Sequence, residues 1–266
     1  MTLGWPRRHP YRLGVSFVVS ADSYGQFMGR FSGPLAEQFL AELDLQPGMR
    51  ALDVGSGPGA LTALLVEQLG AANVVAADPS EPFVAALRER FPGVEVHQAP
   101  AESIPLPDAS VDVAAAQLVI HFMPDPTAGV AEMGRVTRAG GLVAASCWDF
   151  EGDRSPLAWF WDAVRQFEPE HPGEVNEAGA REGQIGEYFR AAGLHDVREA
   201  TVTAHVEIAS FDEYWTPFTL GVGPAGAYVA ALDESGKAEL RAACEALFPP
   251  TPCVLDVTAW AGYGRV

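Results

Sequence analysis

The stretch that most constrains this chain is Ala51–Val54, a short apolar run that ends directly on the glycine cluster Gly55-Ser56-Gly57-Pro58-Gly59. Such a run, closed by turn residues and followed by Ala60–Leu69 with leucines at helical spacing, reads as a buried strand, a tight turn and a helix. The alternation continues downstream. Asn73–Ala77 reads as a second strand and Ser80–Phe91 as a second helix, with Ser80 as its N-cap. Val94–Gln98 and Val111–Val119 read as strands three and four, Pro126–Val136 as a helix, and Gly141–Cys147 as strand five. This rhythm requires right-handed crossovers with helices on both faces of the sheet. The expected fold is therefore α/β, with a doubly wound, mostly parallel sheet.

A sheet of this kind needs about 170 residues at ordinary domain size, and the chain has 266. The surplus falls in identifiable places. Residues 1–20 read as an N-terminal extension; Arg7, Arg8 and Arg12 precede the apolar run Leu13–Ser20, but Pro6 and Pro10 spoil it as a secretory signal. Tyr24, Phe27, Met28 and Phe31 make one apolar helix face, so residues 21–48 are expected to form a helical arm. Residues 49–209 would hold the core, and residues 210–252 a helical insertion. Residues 253–266 would supply the last strand, with Cys253–Trp260 as an edge.

Charge narrows the partners. Thirty-five acids against seventeen bases give a net charge of −18, which repels polyphosphates and anionic membrane surfaces. No nucleic acid and no membrane partner are expected, which leaves a small-molecule substrate. Cys147, Cys244 and Cys253 stand far apart and the histidines form no spaced cluster, so no metal site is expected and a cytoplasmic location fits. Oligomeric state is left open.

The glycine cluster carries the chemistry. Its glycines allow a tight strand-to-helix turn and close approach of a ligand. Nineteen residues after Gly59, Asp78 closes the second strand, where a carboxylate can accept from both hydroxyls of a ribose. Together they indicate a nucleoside-containing cofactor. Gly55, Gly57 and Ala60 also satisfy the dinucleotide pattern G-x-G-x-x-G/A, yet Asp53 would meet a pyrophosphate with negative charge and Pro58 removes a backbone N–H. A cofactor with a cationic end, such as S-adenosylmethionine, suits Asp53 better.

At this point the chain resembles a family. Asp53-Val54-Gly55-Ser56-Gly57-Pro58-Gly59, Ala77-Asp78-Pro79-Ser80, Ala101-Glu102 with Leu106-Pro107-Asp108, and Gln117 through Asp125-Pro126 look like successive motifs of class I S-adenosylmethionine-dependent methyltransferases. Arg138-Ala139-Gly140-Gly141 resembles the turn before their fifth strand. The likeness runs over about Arg50–Trp148 and is nearest to the small-molecule enzymes similar to those of ubiquinone and menaquinone biosynthesis. It implies a Rossmann-like core in which Gly55, Ser56, Gly57 and Gly59 line the cofactor. Asp53 would hold the cofactor's amino end, Asp78 its ribose and Pro79 its adenine face. Ala101 and Glu102 would meet the adenine edge, and Gln117 the methionine portion. Tyr24 and Arg30, on an arm resembling a cofactor lid, would close over the carboxylate. Pro100 stands where relatives often place an acid.

Methyl transfer from a sulfonium is an in-line displacement, and a base is needed only if the acceptor must lose a proton. His121, just beyond strand four, is the candidate general base. Trp159, Trp161, Trp215 and Phe218 are candidate walls of an apolar pocket for an apolar or aromatic acceptor, or else they bury the insertion on the sheet. Two rival functions remain at this level. One is a nicotinamide-dependent oxidoreductase; the other is a non-catalytic S-adenosylmethionine-binding protein.

Overall fold

The computed structural model describes residues 25–266; Tyr24 and the extension expected at residues 1–20 lie outside the described residues. Seven strands form one sheet: β1 (Ala51–Val54), β2 (Val74–Asp78), β3 (Glu95–Gln98), β4 (Val111–Gln117), β5 (Thr137–Trp148), β6 (His195–Ile208) and β7 (Cys253–Arg265), in spatial order β3-β2-β1-β4-β5-β7-β6. β1 to β5 pair in parallel, and β7 runs antiparallel to both neighbours. The parallel strands are apolar because helices cover both faces; every residue of β1 and β2 is buried. The α/β, doubly wound sheet anticipated from the rhythm is the observed fold.

The strand order reverses between β1 and β4, and ligands of open α/β sheets bind beyond the strand ends at such a reversal. Around it stand a π-helical turn (Gly25–Gly29) leading into α1 (Arg30–Ala41), then α2 (Ala60–Leu69), α3 (Glu81–Arg90) and α4 (Pro126–Val136). α1 buries Phe31, Leu35, Ala36, Phe39 and Leu40 and packs on α2 and β6. Beyond β5 come α5 (Ala158–Phe167) and α6 (Gln184–Ala191); between β6 and β7 lie α7 (Phe211–Trp215), α8 (Gly223–Ala230) and α9 (Glu234–Leu247).

Two sequence expectations are corrected. The last strand is not an edge: β7 lies inside the sheet, between β5 and β6, and β6 forms the border. Its glycines show why. A Cβ on Gly262 would collide with Ile185, and one on Gly264 would stand 3.1 Å from Phe189 Cδ2 and Leu194 Cβ, so these positions let α6 lie close on an interior strand. Strand five also begins earlier, at Thr137 rather than Gly141, because Thr137 pairs with Val111 before the register shifts. Gly140 takes φ +74° inside that irregular stretch, and Arg138 is anchored by an ion pair to Asp112.

Candidate cofactor and active site

The turn after β1 organises the site. Gly55, Gly57 and Gly59 adopt left-handed backbone, with φ of +64°, +54° and +91°, which residues with a Cβ adopt only at a cost. A Cβ on Gly55 would stand 2.5 Å from Val119 Cγ1, and one on Gly59 2.7 Å from both Leu87 Cδ2 and Phe91 Cε2. At Gly57 it would meet nothing within 4 Å, because that glycine faces a cavity. Two of the three glycines are thus required by packing, and the third leaves room for a ligand.

The backbone amides of this turn are already engaged. Gly55 and Ser56 N–H donate to Ala77 O at 2.7 and 3.1 Å, and Gly59 N–H donates to Ser56 O at 2.9 Å. Gly57 N–H donates to Asp78 Oδ2 at 2.8 Å, and Pro58 has no N–H to offer. A phosphate cradle needs several free amides pointing at the ligand. This loop presents none.

Two buried acids flank it. Asp53 sits in the middle of the sheet, opposite Ala76 on β2 and Ala115 on β4. It is 1% exposed, lines the cavity, and accepts a hydrogen bond from Thr62 Oγ1 at 2.6 Å. Among the described residues no cation pairs with it. Burial pushes its pKa up to about 7; the Thr62 hydrogen bond pulls it down and the neighbouring Asp78 charge pushes it up further. Asp78 accepts from Gly57 N–H through one oxygen and from Ser80 N–H, also at 2.8 Å, through the other. Burial raises its pKa too, against those two hydrogen bonds.

The cavity has a volume of about 950 Å³. Asp53, Gly55, Ser56, Gly57, Gln117 and Leu118 line its strand side; the π-helical turn, α1, α2 and α3 line the other. Gln117 reaches across it, donating from Nε2 to Ser32 O of α1 at 2.7 Å. Beside it, Leu118 adopts φ +59° and is held there by its N–H, which donates to Ser146 O and Oγ at 3.0 and 3.1 Å. Strained non-glycine backbone at a strand end concentrates at ligand sites. Leu118 and Thr62 escaped the sequence reading: nothing in sequence marks a leucine with left-handed backbone, and Thr62 is legible only once α2 is placed beside β1.

Other candidates lie elsewhere. Arg30 does not line the cavity; its Nη1 donates to Glu213 O at 2.9 Å and pairs with Glu213 Oε1 at 3.2 Å, tying the arm to α7. Pro79 is exposed and Ala101 buried, and neither lines the cavity. Glu102 accepts from Asp125 N–H at 3.4 Å, near the start of α4. His121 packs between Phe122 and Phe150 with Nδ1 3.5 Å from Cys147 Sγ. Burial pushes its pKa down to about 3, so this imidazole is a weak base outside the cavity, and the geometry gives no support to its expected role.

For the aromatic residues, the packing matches the second of the two alternatives, burial of the insertion. Trp161, Trp215 and Phe218 are 4%, 6% and 2% exposed, and they fill one another's space. Phe160 stacks on Phe218 at 4.6 Å and 8°, and Trp159 meets Tyr214 and Phe248 edge-on. Trp161 Nε1 donates to Glu174 Oε2 at 2.8 Å. These rings are the core that seats the insertion on the sheet. Phe218 meets Phe27 of the arm edge-on, at 5.4 Å.

Fold and site together define a nucleoside-cofactor domain with an acid, not a phosphate cradle, at its centre. Residues 52–145 match the model of the family described as Methyltransferase domain. The chain is 37% identical over 109 residues to trans-aconitate 2-methyltransferase of Azoarcus sp., covering 41% of this chain and 43% of that protein. It is 43% identical over 108 residues to a Mycobacterium tuberculosis protein named as a probable S-adenosylmethionine-dependent methyltransferase, covering 38% of each. The chain thus spans under half the length of these curated relatives. Among solved structures, the partner of the Trm112 methyltransferase activator in a Haloferax volcanii complex shares the fold, with TM-score 0.57, 19% identity, and coverage of 92% of this chain and 94% of that one. Residues 52–145 of this chain thus resemble a methyltransferase domain, and a relative of that segment is named as a probable S-adenosylmethionine-dependent methyltransferase. Among the described residues no helix is long and apolar enough to cross a membrane, and no group of three or more His, Cys, Asp and Glu could hold a metal ion.

Proposed function

We propose that the chain transfers a methyl group from S-adenosylmethionine to a small apolar acceptor by in-line displacement. The observation that carries this reading is the combination at the β1 turn: every loop amide is spent, while a buried acid with no paired cation among the described residues faces the cavity. A pyrophosphate would find no free donor among the amides of Gly55, Ser56, Gly57 and Gly59. An ammonium beside Asp53 would find a carboxylate whose ionised form lacks only a counter-charge.

S-adenosylmethionine, when bound, supplies an electrophilic methyl carbon on a cationic sulfur. The protein's residues would hold and orient it. Asp53 would take the amino end, Asp78 the ribose hydroxyls, and Gly57 would leave space for close approach; Gln117, already bridging strand and arm, would face the methionine portion. Displacement at such a carbon needs alignment and exclusion of water, which the arm over the cavity would provide. With His121 neutral and outside the cavity, this reading assigns no side-chain base, which suits an acceptor that has no proton to lose at the reacting atom.

Titration calorimetry tests the reading. S-adenosylhomocysteine should bind, and NAD should not. Tight NAD binding with no response to S-adenosylhomocysteine would overturn it.

A further inference from the structure

Asp53 works through a partner that the chemistry so far has not used. Thr62 is the third residue of α2 and is fully buried, on the same helix as the buried Leu61, Leu65 and Leu69. Threonine is a poor helix former, and burying its hydroxyl costs free energy unless a hydrogen bond compensates. A valine would fill the same space without that cost. The hydroxyl is satisfied at Asp53, where Oγ1 donates to Oδ2 at 2.6 Å.

The start of α2 makes this pairing more than packing. Its N-cap is Gly59, in left-handed backbone and with no side chain to cap the first turn. The positive end of the helix is left to be answered from outside, and Asp53 reaches it from the neighbouring strand. Burial is the largest influence on that carboxyl and disfavours its ionised form; the Thr62 hydroxyl is the strongest pull the other way, the Asp78 charge opposes it, and Thr62 N–H adds to it. The remaining charged groups on the cavity wall are Glu37 of α1 and Glu89 and Arg90 of α3. Arg90, the cation of that set, donates from Nη1 to Pro58 O at 3.1 Å and lies over the Phe91 ring.

We infer that Thr62 is a positioning residue for a cationic ligand: by holding Asp53 Oδ2 it favours the carboxylate and turns Oδ1 to the cavity as the acceptor for an ammonium group. This rests on the methyltransferase reading above, in which Asp53 takes the amino end of the cofactor. The two oxygens then have separate tasks, one toward the protein and one toward the ligand. A protonated Asp53 would offer the cavity an O–H, which an ammonium, itself only a donor, cannot use.

Thr62→Val keeps the shape and removes the hydroxyl; Thr62→Ser keeps the hydroxyl and removes a methyl. Carbon-13 NMR of the aspartate carboxyls reads the titration in the free protein, with the Asp53 signal assigned by its loss in Asp53→Asn. Thr62→Val should raise the Asp53 midpoint by on the order of one pH unit, the size of one hydrogen bond to a charged group, and Thr62→Ser should restore it. Calorimetry reads the ligand. S-adenosylhomocysteine should bind about fivefold to tenfold more weakly to Thr62→Val than to the wild type at pH 6.5, and less than about threefold more weakly at pH 8.5, because a raised midpoint matters most below it. In an Asp53→Asn background, Thr62→Val should weaken binding no further.

An unchanged Asp53 midpoint in a folded Thr62→Val protein would overturn the inference. So would a loss of affinity that is the same at both pH values and equal in Thr62→Ser, since that is the mark of altered packing. A wild type whose Asp53 titrates under the control of Thr62 but which binds no S-adenosylhomocysteine would overturn the methyltransferase reading, and with it the ligand assigned to Oδ1.

Discussion

Asp53 is the residue on which the proposed cofactor site turns, and its burial makes its behaviour pH-dependent. With a pKa of about 7, it is protonated in much of the free protein below neutrality. A cationic ligand favours the ionised form, so S-adenosylhomocysteine should bind more tightly as pH rises from 6 to 8, and calorimetry across that range would show it. Asp53→Asn should remove this dependence and weaken binding by about 1–3 kcal/mol, the range for hydrogen bonds to charged groups. The same substitution should stabilise the free protein at pH 8, on the order of 1–3 kcal/mol, because it deletes a buried charge. Gly59→Ala has the opposite character: left-handed backbone and the contact with Leu87 and Phe91 should together cost about 2–4 kcal/mol of stability in denaturant melts.

At the scale of elements, the arm is fastened both to the sheet and to the insertion. Gln117 fastens α1 to the end of β4, so Gln117→Met should leave global stability within about 1 kcal/mol, the net worth of one hydrogen bond. Amide exchange in residues 30–36 should nevertheless speed up. Phe218→Ala removes a ring stacked on Phe160 and set against Phe27. It should cost about 3–5 kcal/mol, as large core truncations do, with cofactor affinity preserved in the protein that remains folded. A pocket residue would show the reverse pattern. The elements of the parallel sheet were legible in the sequence because buried strands and amphipathic helices have distinct periods. Asp53, Gly55, Ser56, Gly57 and Gln117 are singled out by sequence and line the cavity, whereas Asp78 stands outside that lining, holding Gly57 N–H. What periodicity could not convey was which aromatic surfaces meet: Trp161 and Phe218 look the same in sequence whether they line a void or fill one. It also could not place β7, since a strand of small residues between two others resembles an edge until its glycines are seen against α6.

For the whole molecule, the raised acids add up. Asp53 and Glu174 both have pKa values pushed to about 7 by burial. Such groups hold more protons folded than unfolded between about pH 4.5 and 7, so their burial erodes stability progressively as pH climbs through that window. Asp112 and Glu132, lowered by Arg138 and Arg135, act only at more acidic pH. The free protein should therefore melt higher at pH 6 than at pH 8, and saturating S-adenosylhomocysteine should narrow that gap by supplying the charge Asp53 lacks.

The interior position of β7 also bears on how the chain comes together. β5 and β6 are neighbours in sequence among the strands, yet they touch only through β7, which is made more than a hundred residues after β5 begins. Until Cys253–Arg265 emerges and threads between them, the open side of β5 is an unpaired edge and β6 has no partner on the sheet. Closure of the sheet is thus a late, long-range event in biogenesis, the kind that slows folding and leaves strand edges open to wrong pairing. Destabilising changes in β7 should show up first as poor yield of folded protein, before any loss of affinity in the molecules that do fold.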